Sequence, residues 1–393
     1  MTTSASVITV GDAASALDRL YPPDTAEDWD SVGLACGERS DAVRRVLFAV
    51  DPLPEVIDEA LAWDTDLLVT HHPLLLKGVR SVATDTWKGR ALHRLIQGGC
   101  ALYNAHTNAD IAAGGVNDAL AECLGLRDLS PLRAWSEEPT DKVVTFVPPS
   151  HAQGVIDAMA AAGAGTLGDY RRCAWTGAGS GTFTPQPGAR PTIGTVGATE
   201  VLNEARVEML APRQLRTAVV TALRTAHPYE EVAVDVYELA PAPAGTGLGR
   251  VGTLDEESTL QEFASRVSVQ LPSTPGGVRC FGAPDGPVRR VAVCGGSGDS
   301  LLPDAARAGV DVFVTADLRH HAASEHLAEG GPALIDPGHW ASEWPWLPKA
   351  ARQLVEALEA ADHVATTVET RVSTLVTDPV TGWFPGGGHR QAE

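Results

Sequence analysis

Basic side chains are scarce in this sequence. Its 393 residues include 30 Lys and Arg against 50 Asp and Glu, which gives a formal net charge of −20. A surface this acidic repels nucleic-acid phosphates and anionic lipid head groups. The composition therefore disfavours nucleic acid as a main partner. Divalent cations are attracted instead, although only a specific cluster of ligands would bind one tightly.

Cysteines are few, and long apolar runs are missing. The six cysteines form no Cys-x-x-Cys pair and no disulfide framework, which is typical of a protein from a reducing cytosol. No apolar run is long enough to cross a bilayer. Residues 1–10 lack the basic start and apolar core of a signal peptide. We therefore expect a cytoplasmic protein with no membrane partner.

Strands and helices alternate near both ends of the chain. The first set comprises strands Arg45–Asp51, Asp66–Thr70 and Cys100–Ala105 with helices Pro54–Trp63 and Gly89–Gly98. The second comprises strands Arg290–Cys294, Asp311–Thr315 and Ala333–Asp336 with helices Leu301–Ala308 and Ala322–Glu329. Short, continuously apolar strands are typical of parallel sheets that are covered on both faces. The alternation predicts an α/β fold built from βαβ units.

The two ends of the chain resemble each other. A set of four residues recurs at one constant offset: Ala60, Asp66, Val69 and Thr70 return as Ala305, Asp311, Val314 and Thr315. In addition, His106-x-x-x-Asp110 resembles His339-x-x-x-Glu343. The simplest interpretation is an internal duplication, with two related halves facing each other across one shared site. Coincidence between two common βαβ patterns is the alternative.

The middle of the chain follows another pattern. Its elements are strand Lys142–Val147, helix His151–Ala162, Gly- and Thr-rich residues, strand Arg206–Leu210, helix Pro212–Ala226 and strand Glu231–Leu239. This is the element order of ferredoxin-like domains. We therefore predict two halves of one α/β domain at residues 1–134 and 246–380, an inserted α+β domain at 135–245, and a flexible tail at 381–393.

The strongest chemical signal is the segment Thr70-His71-His72-Pro73. Two adjacent histidines directly follow a predicted buried strand, and the proline stops the strand from continuing. Where the strand ends the backbone can turn, so that both imidazoles can reach one cavity. Open α/β sheets also bind their ligands at the carboxyl ends of the strands.

Other predicted strands end in similar side chains. His106 and Asp110 follow one strand, the segment 315–321 ends another, and His339 and Glu343 follow a third. Residues four apart share a helix face, so His339 and Glu343 can converge.

Nitrogen and oxygen ligands without thiolate suit zinc, iron or manganese. The candidate ligands are His71, His72, Asp110, His339 and Glu343. Five ligands are many for one catalytic ion, but they fit two ions that share a carboxylate and activate a water molecule. The alternative is that these histidines only cap strands or pack in the core. The Gly-rich segment 294–298 could hold a phosphate, although a plain glycine turn is the simpler interpretation.

Several motifs, in order along nearly the whole chain, resemble the NIF3-like family. They are Asp28 to Leu34, Thr70 to Pro73 with Lys77-Gly78, Asn104 to Asp110 with Gly115-Val116-Asn117, His227-Pro228-Tyr229-Glu230-Glu231, Gly249 to Gly252, Thr315 to His321, and Asp336 to Glu343. One departure is Ala316, where the family has glycine between threonine and aspartate. Since alanine is the smallest substitute for glycine, this departure does little to weaken the resemblance.

The resemblance implies a toroidal homohexamer with two divalent metal ions in each subunit. It implies that the five candidate ligands hold these ions, with Glu343 bridging them. His106, Asp317 and His321 would support the ligands or contact the substrate. The inserted domain resembles the PII/CutA-like insert of longer members, and members are often named GTP cyclohydrolase 1 type 2 homologues.

Two functions remain open at this point. A metal-dependent hydrolase would attack a nucleotide-like substrate with an activated water, and His106 or His321 would move protons. In the cyclohydrolase case, the purine ring of GTP would open with loss of formate. The alternative is a non-enzymatic protein that stores or delivers metal, or that senses a small ligand through the inserted domain. The acidic surface and the large insert favour that alternative.

Overall fold

The computed structural model describes residues 7–134, 139–240, 245–361 and 368–384. Of the predicted flexible tail, residues 385–393 lie outside the described residues. The described residues form two compact units, one within the ranges 1–135 and 245–393 and the other within 136–244. Within the described ranges, no helix combines the length and the apolar character needed to span a membrane.

The first part of the larger unit builds a five-stranded sheet. The elements of this part of the chain are α1 (Val10–Leu20), β1 (Gly33–Cys36), β2 (Arg45–Ala49), α2 (Pro54–Ala62), β3 (Leu67–Thr70), α3 (Trp87–Gln97), β4 (Ala101–Asn104), α4 (Thr107–Ile111), α5 (Val116–Cys123) and β5 (Arg127–Ala134). Of these strands, β5 belongs to the other sheet of the unit. The strand order is β1-β4-β3-β2, followed by β15 (Glu369–Val372). All strands of this sheet run parallel except β1, which pairs antiparallel with β4.

The smaller unit builds a separate four-stranded antiparallel sheet. Its elements are β6 (Thr140–Val147), α6 (Ala152–Ala161), β7 (Trp175–Phe183), β8 (Glu200–Pro212), α7 (Arg216–Ala226) and β9 (Val234–Glu238). The strand order is β7-β8-β6-β9. The helices α6 and α7 contribute to one apolar core with the sheet, around buried residues such as Val143, Met159, Val207 and Leu223.

The last part of the larger unit builds a six-stranded sheet. Its elements are β10 (Gly247–Thr259), α8 (Leu260–Gln270), β11 (Arg279–Phe281), β12 (Pro287–Ser297), α9 (Leu302–Ala308), β13 (Val312–Ala316), α10 (His320–Ala328), β14 (Ala333–Asp336), α11 (His339–Glu343) and α12 (Trp346–Ala360). The strand order is β11-β14-β13-β12-β10-β5. Here β12, β13 and β14 run parallel, and β11 pairs antiparallel with β14.

The two sheets of the larger unit repeat one arrangement. The order β1-β4-β3-β2 matches β11-β14-β13-β12, including the antiparallel first strand. Asp66 accepts hydrogen bonds from the backbone N–H groups of residues 44 and 45, at 2.7 and 2.8 Å. Asp311 does the same for residues 289 and 290, at 2.8 and 2.7 Å. The shared topology and the shared contact favour an internal duplication over coincidence.

Apolar residues cover both faces of these parallel strands. One face of each sheet contributes to a common core with α1, α5, α8 and α12, which includes Phe48, Val69, Val293 and Val314. The opposite faces pack against α2 and α3 in the first sheet, and against α9 and α10 in the second. Burial on both faces explains why the central strands are continuously apolar in sequence.

Candidate metal centre

The five predicted ligands come from the carboxyl ends of parallel strands in both sheets. His71 and His72 directly follow β3. Asp110 lies in α4, the short helix after β4. His339 and Glu343 are the first and last residues of α11, which follows β14. These strand ends meet in one cavity, so residues far apart in sequence become neighbours.

His71 is fully enclosed in this cavity. Its side chain is 1% exposed, and its Nδ1–H donates to the carbonyl oxygen of Ala105 at 2.9 Å. The Nε2 atom therefore lacks a proton in the neutral ring and faces two carboxylates. It lies 3.4 Å from Oε1 of Glu343 and 3.8 Å from Oδ1 of Asp110.

His72 and His339 are each held by an aspartate. Nδ1–H of His72 donates to Oδ1 of Asp51 at 2.7 Å, and Nδ1–H of His339 donates to Oδ2 of Asp317 at 2.7 Å. Their Nε2 atoms point at each other across 3.2 Å. Glu343 lies beside both, with Oε2 at 3.3 Å from His72 Nε2 and Oε1 at 3.0 Å from His339 Nε2.

A fourth imidazole, His106, joins this group. Its Nδ1–H donates to Oδ1 of Asp30 at 2.9 Å, and its ring lies 5.2 Å from that of His71 and 5.5 Å from that of His72. The other oxygen of Asp30 accepts from the backbone N–H of Thr107 at 3.0 Å. Asp30 therefore orients a site histidine and caps the first turn of α4 at the same time.

All four histidines follow one rule. Each Nδ1–H donates to an oxygen atom, and each Nε2 is left for the cavity. This is how proteins orient the histidines that bind metals, because the outer hydrogen bond fixes both tautomer and ring direction. Two sets of ligand atoms lie within 4.8 Å of one another: His71, His72 and His106 in one, and His72, His339 and Glu343 in the other.

Buried polar atoms without partners support a metal at this place. Among the described residues, the buried side-chain atoms that lack a hydrogen bond include His71 Nε2, Asp110 Oδ1 and Glu343 Oε2. A buried polar atom without a partner is costly, and such atoms are rare in folded proteins. Three such atoms lie together here, and each can give a lone pair to a cation. A bound cation therefore fits the site, whereas a role of these side chains in apolar core packing does not.

The electrostatics of the cavity favour positive charge. Burial alone would raise the pKa of Glu343, but His339, His72 and His71 outweigh burial and hold that pKa well below its usual range. Burial opposes the charged form of His72, yet Glu343 and Asp51 raise its pKa to about 10. Glu343 likewise raises the pKa of His339 to about 11, against burial. The carboxylates thus favour protonated imidazoles, and a metal cation would compete with those protons for the same ring nitrogens.

The Gly-rich segment 294–298 makes room for this site. A Cβ atom on Gly296 would lie 2.3 Å from Oε1 of Glu343 and 3.0 Å from Nε2 of His339. The backbone N–H of Gly295 donates to Asn117 and that of Gly296 donates to Ser342, each at 2.9 Å. These N–H groups are already bonded within the protein, so they do not form a phosphate cradle.

Of the three residues predicted for proton transfer or substrate contact, His106 and Asp317 lie at the site. Asp317 supports His339 and has a positive φ of 56°, an unusual conformation for a residue with a side chain. His321 belongs to neither ligand group; it is exposed on α10, where its ring packs against His320 at 5.3 Å. Asp51 was not predicted as a site residue, because the predicted strand Arg45–Asp51 included it; the strand ends at Ala49, so Asp51 lies just beyond its end.

The chain is similar to proteins that share most of its length. A model of the family Duf34/NIF3 (NGG1p interacting factor 3) matches residues 8–379. A Mycobacterium leprae protein named "GTP cyclohydrolase 1 type 2 homolog" is 49% identical over 373 residues, which are 94% of each chain. A Bacillus subtilis protein of the same name is 40% identical over 326 residues, covering 83% of this chain and 87% of that one.

A solved structure leads to the same family. The crystal structure of the Bacillus cereus protein related to NIF3 is 38% identical and covers 95% of this chain and 99% of its own, with a TM-score of 0.65. The family match spans most of the chain, including every residue of the candidate metal centre described above. This chain belongs to the Duf34/NIF3 family.

Proposed function

We propose that this chain holds two divalent cations in the cavity of the metal centre and hydrolyses a nucleotide-like substrate there. The observation that carries the proposal is the set of four imidazoles whose Nδ1–H groups are bonded outward. Three of them, His71, His72 and His339, also bring Nε2 within 3.4 Å of the buried carboxylate of Glu343. Such a set is expensive to fold without a bound cation.

The ligands in this proposal are the five predicted from sequence: His71, His72, Asp110, His339 and Glu343. Glu343 would bridge, because its two oxygens lie within 3.4 Å of the Nε2 atoms of His71, His72 and His339. Zinc, iron and manganese all accept such nitrogen and oxygen ligands.

Bound divalent cations would polarise the substrate and lower the pKa of water to near neutrality. The protein supplies the rest of the chemistry. Asp30 fixes the ring of His106, so its Nε2 can accept or return a proton at the rim of the cavity. Beside it, the ring of Trp29 is 58% exposed and lies edge-on to His106 at 5.8 Å. Its open face offers a surface on which a planar base can stack.

Three further features belong to this proposal through the family resemblance. They are a toroidal homohexamer, a cytoplasmic location, and a ferredoxin-like, PII/CutA-like inserted domain. The element order of the smaller unit, β-α-β-β-α-β, supports the last of these. Light scattering coupled to size exclusion tests the hexamer directly, because a monomer of 41.1 kDa and a hexamer differ sixfold in mass.

The experiment that tests the function is metal analysis followed by turnover. Purified protein is loaded with zinc, manganese or iron(II), its metal content is measured, and GTP and other nucleotides are offered as substrates. We expect close to two ions per chain and metal-dependent turnover that His72→Ala abolishes. His93→Ala, an exposed histidine on α3, is the matched control. Two bound ions without turnover of any nucleotide would leave a metal-binding protein and would overturn the hydrolase.

A further inference from the structure

The smaller unit contains a cleft that the metal centre does not use. The cleft has a volume of about 450 Å³ and lies between the end of β7, the segment 184–193 and the segment 229–233. Small-molecule sites in proteins typically have roughly 300–1,000 Å³. One wall is formed by Tyr229, Glu230 and Glu231. They belong to the motif 227–231, which the metal centre leaves unexplained.

Aromatic rings line this cleft, and hydrogen bonds fix the wall that carries them. The rings are those of Phe146, Phe183 and Tyr229, and the last two lie 6.1 Å apart. Nε2–H of His227 donates to the carbonyl oxygen of Phe146 at 3.0 Å, and Nδ1 of His227 accepts from the backbone N–H of Tyr229 at 3.1 Å. Because both ring nitrogens are committed, His227 serves as a brace that holds Tyr229 in place.

The charged side chains that line the cleft are all carboxylates: Glu204, Glu230 and Glu231. Glu204 is held in position, since its Oε1 accepts from the hydroxyl of Tyr229 at 3.0 Å. Gly181 on β7 leaves space for the same carboxylate, because a Cβ atom there would lie 1.9 Å from Oε2 of Glu204. The local backbone is therefore fitted around a carboxylate that faces the cleft.

We infer that this cleft binds a small organic ammonium ion that carries a planar ring. The carboxylates neutralise the ammonium group through charge-assisted hydrogen bonds. The aromatic rings contact the planar part and also attract a cation placed over their faces. A neutral or anionic ligand of the same shape would make only the contacts with the rings. An inorganic cation would interact only with the carboxylates. This specificity is independent of the proposed hydrolase function.

The inference is tested by calorimetric titration of the full-length, metal-free chain with three indoles of similar shape. Tryptamine is cationic at neutral pH, tryptophol is neutral, and indole-3-acetate is anionic. We expect tryptamine to bind saturably with a dissociation constant of about 1 mM or tighter. Tryptophol and indole-3-acetate should bind at least about tenfold more weakly, since they lack the ammonium group.

Two variants and one control assign the binding to this cleft. Glu204→Gln keeps an acceptor for the Tyr229 hydroxyl but removes the charge, and Phe183→Leu removes one aromatic wall. Each should weaken tryptamine binding about five- to tenfold. Asp235→Asn, on the exposed side of β9, removes the same charge outside the cleft and should change nothing. Equal binding of tryptophol, an equal loss in Asp235→Asn, or no saturable binding up to about 10 mM would overturn the inference.

Discussion

The hydroxyl of Thr377 donates a hydrogen bond to Oδ2 of Asp51, the carboxylate whose Oδ1 holds His72. The two residues are 326 positions apart in sequence. The segment that carries Thr377 is anchored at Ser373, whose backbone N–H donates to Phe48 at 2.8 Å and whose carbonyl accepts from Trp344 Nε1 at 2.9 Å. The C-terminal segment thus helps to orient His72, a candidate metal ligand that the N-terminal half supplies.

This relationship predicts that Thr377→Val weakens metal binding without touching any ligand. The valine has nearly the same shape but cannot donate to Asp51, so His72 loses part of its orientation. Loss of such an outer partner typically weakens metal binding roughly 10- to 100-fold. The affinity is measured by competition with a chromophoric chelator for zinc.

Two comparison variants make this test specific. Thr377→Ser keeps the hydroxyl and should bind zinc as the unchanged chain does. Thr374→Val makes the same replacement at an exposed threonine three positions earlier and should also have no effect. A Thr377→Val variant with unchanged zinc affinity would show that Asp51 holds His72 without help from the C-terminal segment.

The convergence of the five candidate ligands could be predicted from sequence, because each lies just after a strand, where local pattern and chemistry coincide. Asp317 directly follows β13 in the same way, whereas Asp51 follows a strand only because β2 ends at Ala49, two residues earlier than predicted. Thr377 could not be predicted, because its partner is distant in sequence and its surroundings follow no periodic pattern. Long-range contacts of this kind depend on how both sheets pack, which a local pattern does not contain.

The elements differ in how well the sequence predicted them. Strand Ala333–Asp336 is confirmed, and helix Pro54–Trp63 ends one residue earlier, at Ala62. The sequence does not predict strand β7, because its residues are rich in glycine, which normally disfavours strands; all nine of them nevertheless pair with β8. Helix α7 was predicted from Pro212, but that proline ends β8 and a 3₁₀ turn precedes the helix at Arg216.

Metal loading should stabilise the larger unit. A ligand that binds only the folded state adds free energy of unfolding, about 2.7 kcal/mol when its concentration is 100 times the dissociation constant. We expect zinc or manganese to raise the melting temperature of the metal-free protein and EDTA to reverse the change. Glu343→Gln should abolish the response, because it removes the carboxylate that lies between three imidazoles.

The control for this measurement is Glu356→Gln, an exposed glutamate on α12. It should keep the full response to metal. If Glu343→Gln still gained stability from zinc to the same extent, the stabilising ion would be bound somewhere other than the predicted centre.

The stability of the smaller unit should depend on pH through Asp141. This buried carboxylate accepts from Arg216 at 2.7 and 3.0 Å and from Arg213 at 3.2 Å. The hydrogen bond from Arg216 is the main cause that holds the pKa of Asp141 below its usual value, despite burial. A depressed pKa stabilises the fold above the unfolded value of about 3.9, and this contribution is lost as the pH falls further.

Asp141→Asn should therefore melt at a lower temperature than the unchanged chain at pH 7, and the difference should shrink below about pH 4. Thermal unfolding followed by circular dichroism across this range measures the effect. Asp157→Asn is the matched control, because Asp157 pairs with Arg172 at 2.6 Å on an exposed surface, where ion pairs contribute little. A constant difference between Asp141→Asn and the unchanged chain at every pH would contradict the assignment to ionisation.

The duplicated contacts of Asp66 and Asp311 should contribute similar amounts to the free energy of unfolding. Each carboxylate accepts from two successive backbone N–H groups at the start of a parallel strand, at 2.7 or 2.8 Å. Replacing either by alanine leaves those groups to water, and we expect a loss of about 1–3 kcal/mol in the free energy of unfolding. Urea titration measures the loss, and Asp255→Ala, a largely exposed aspartate on β10, should lose far less. A large loss of stability at only one of the two sites would mean that the two halves share the geometry of this contact but not its contribution to stability.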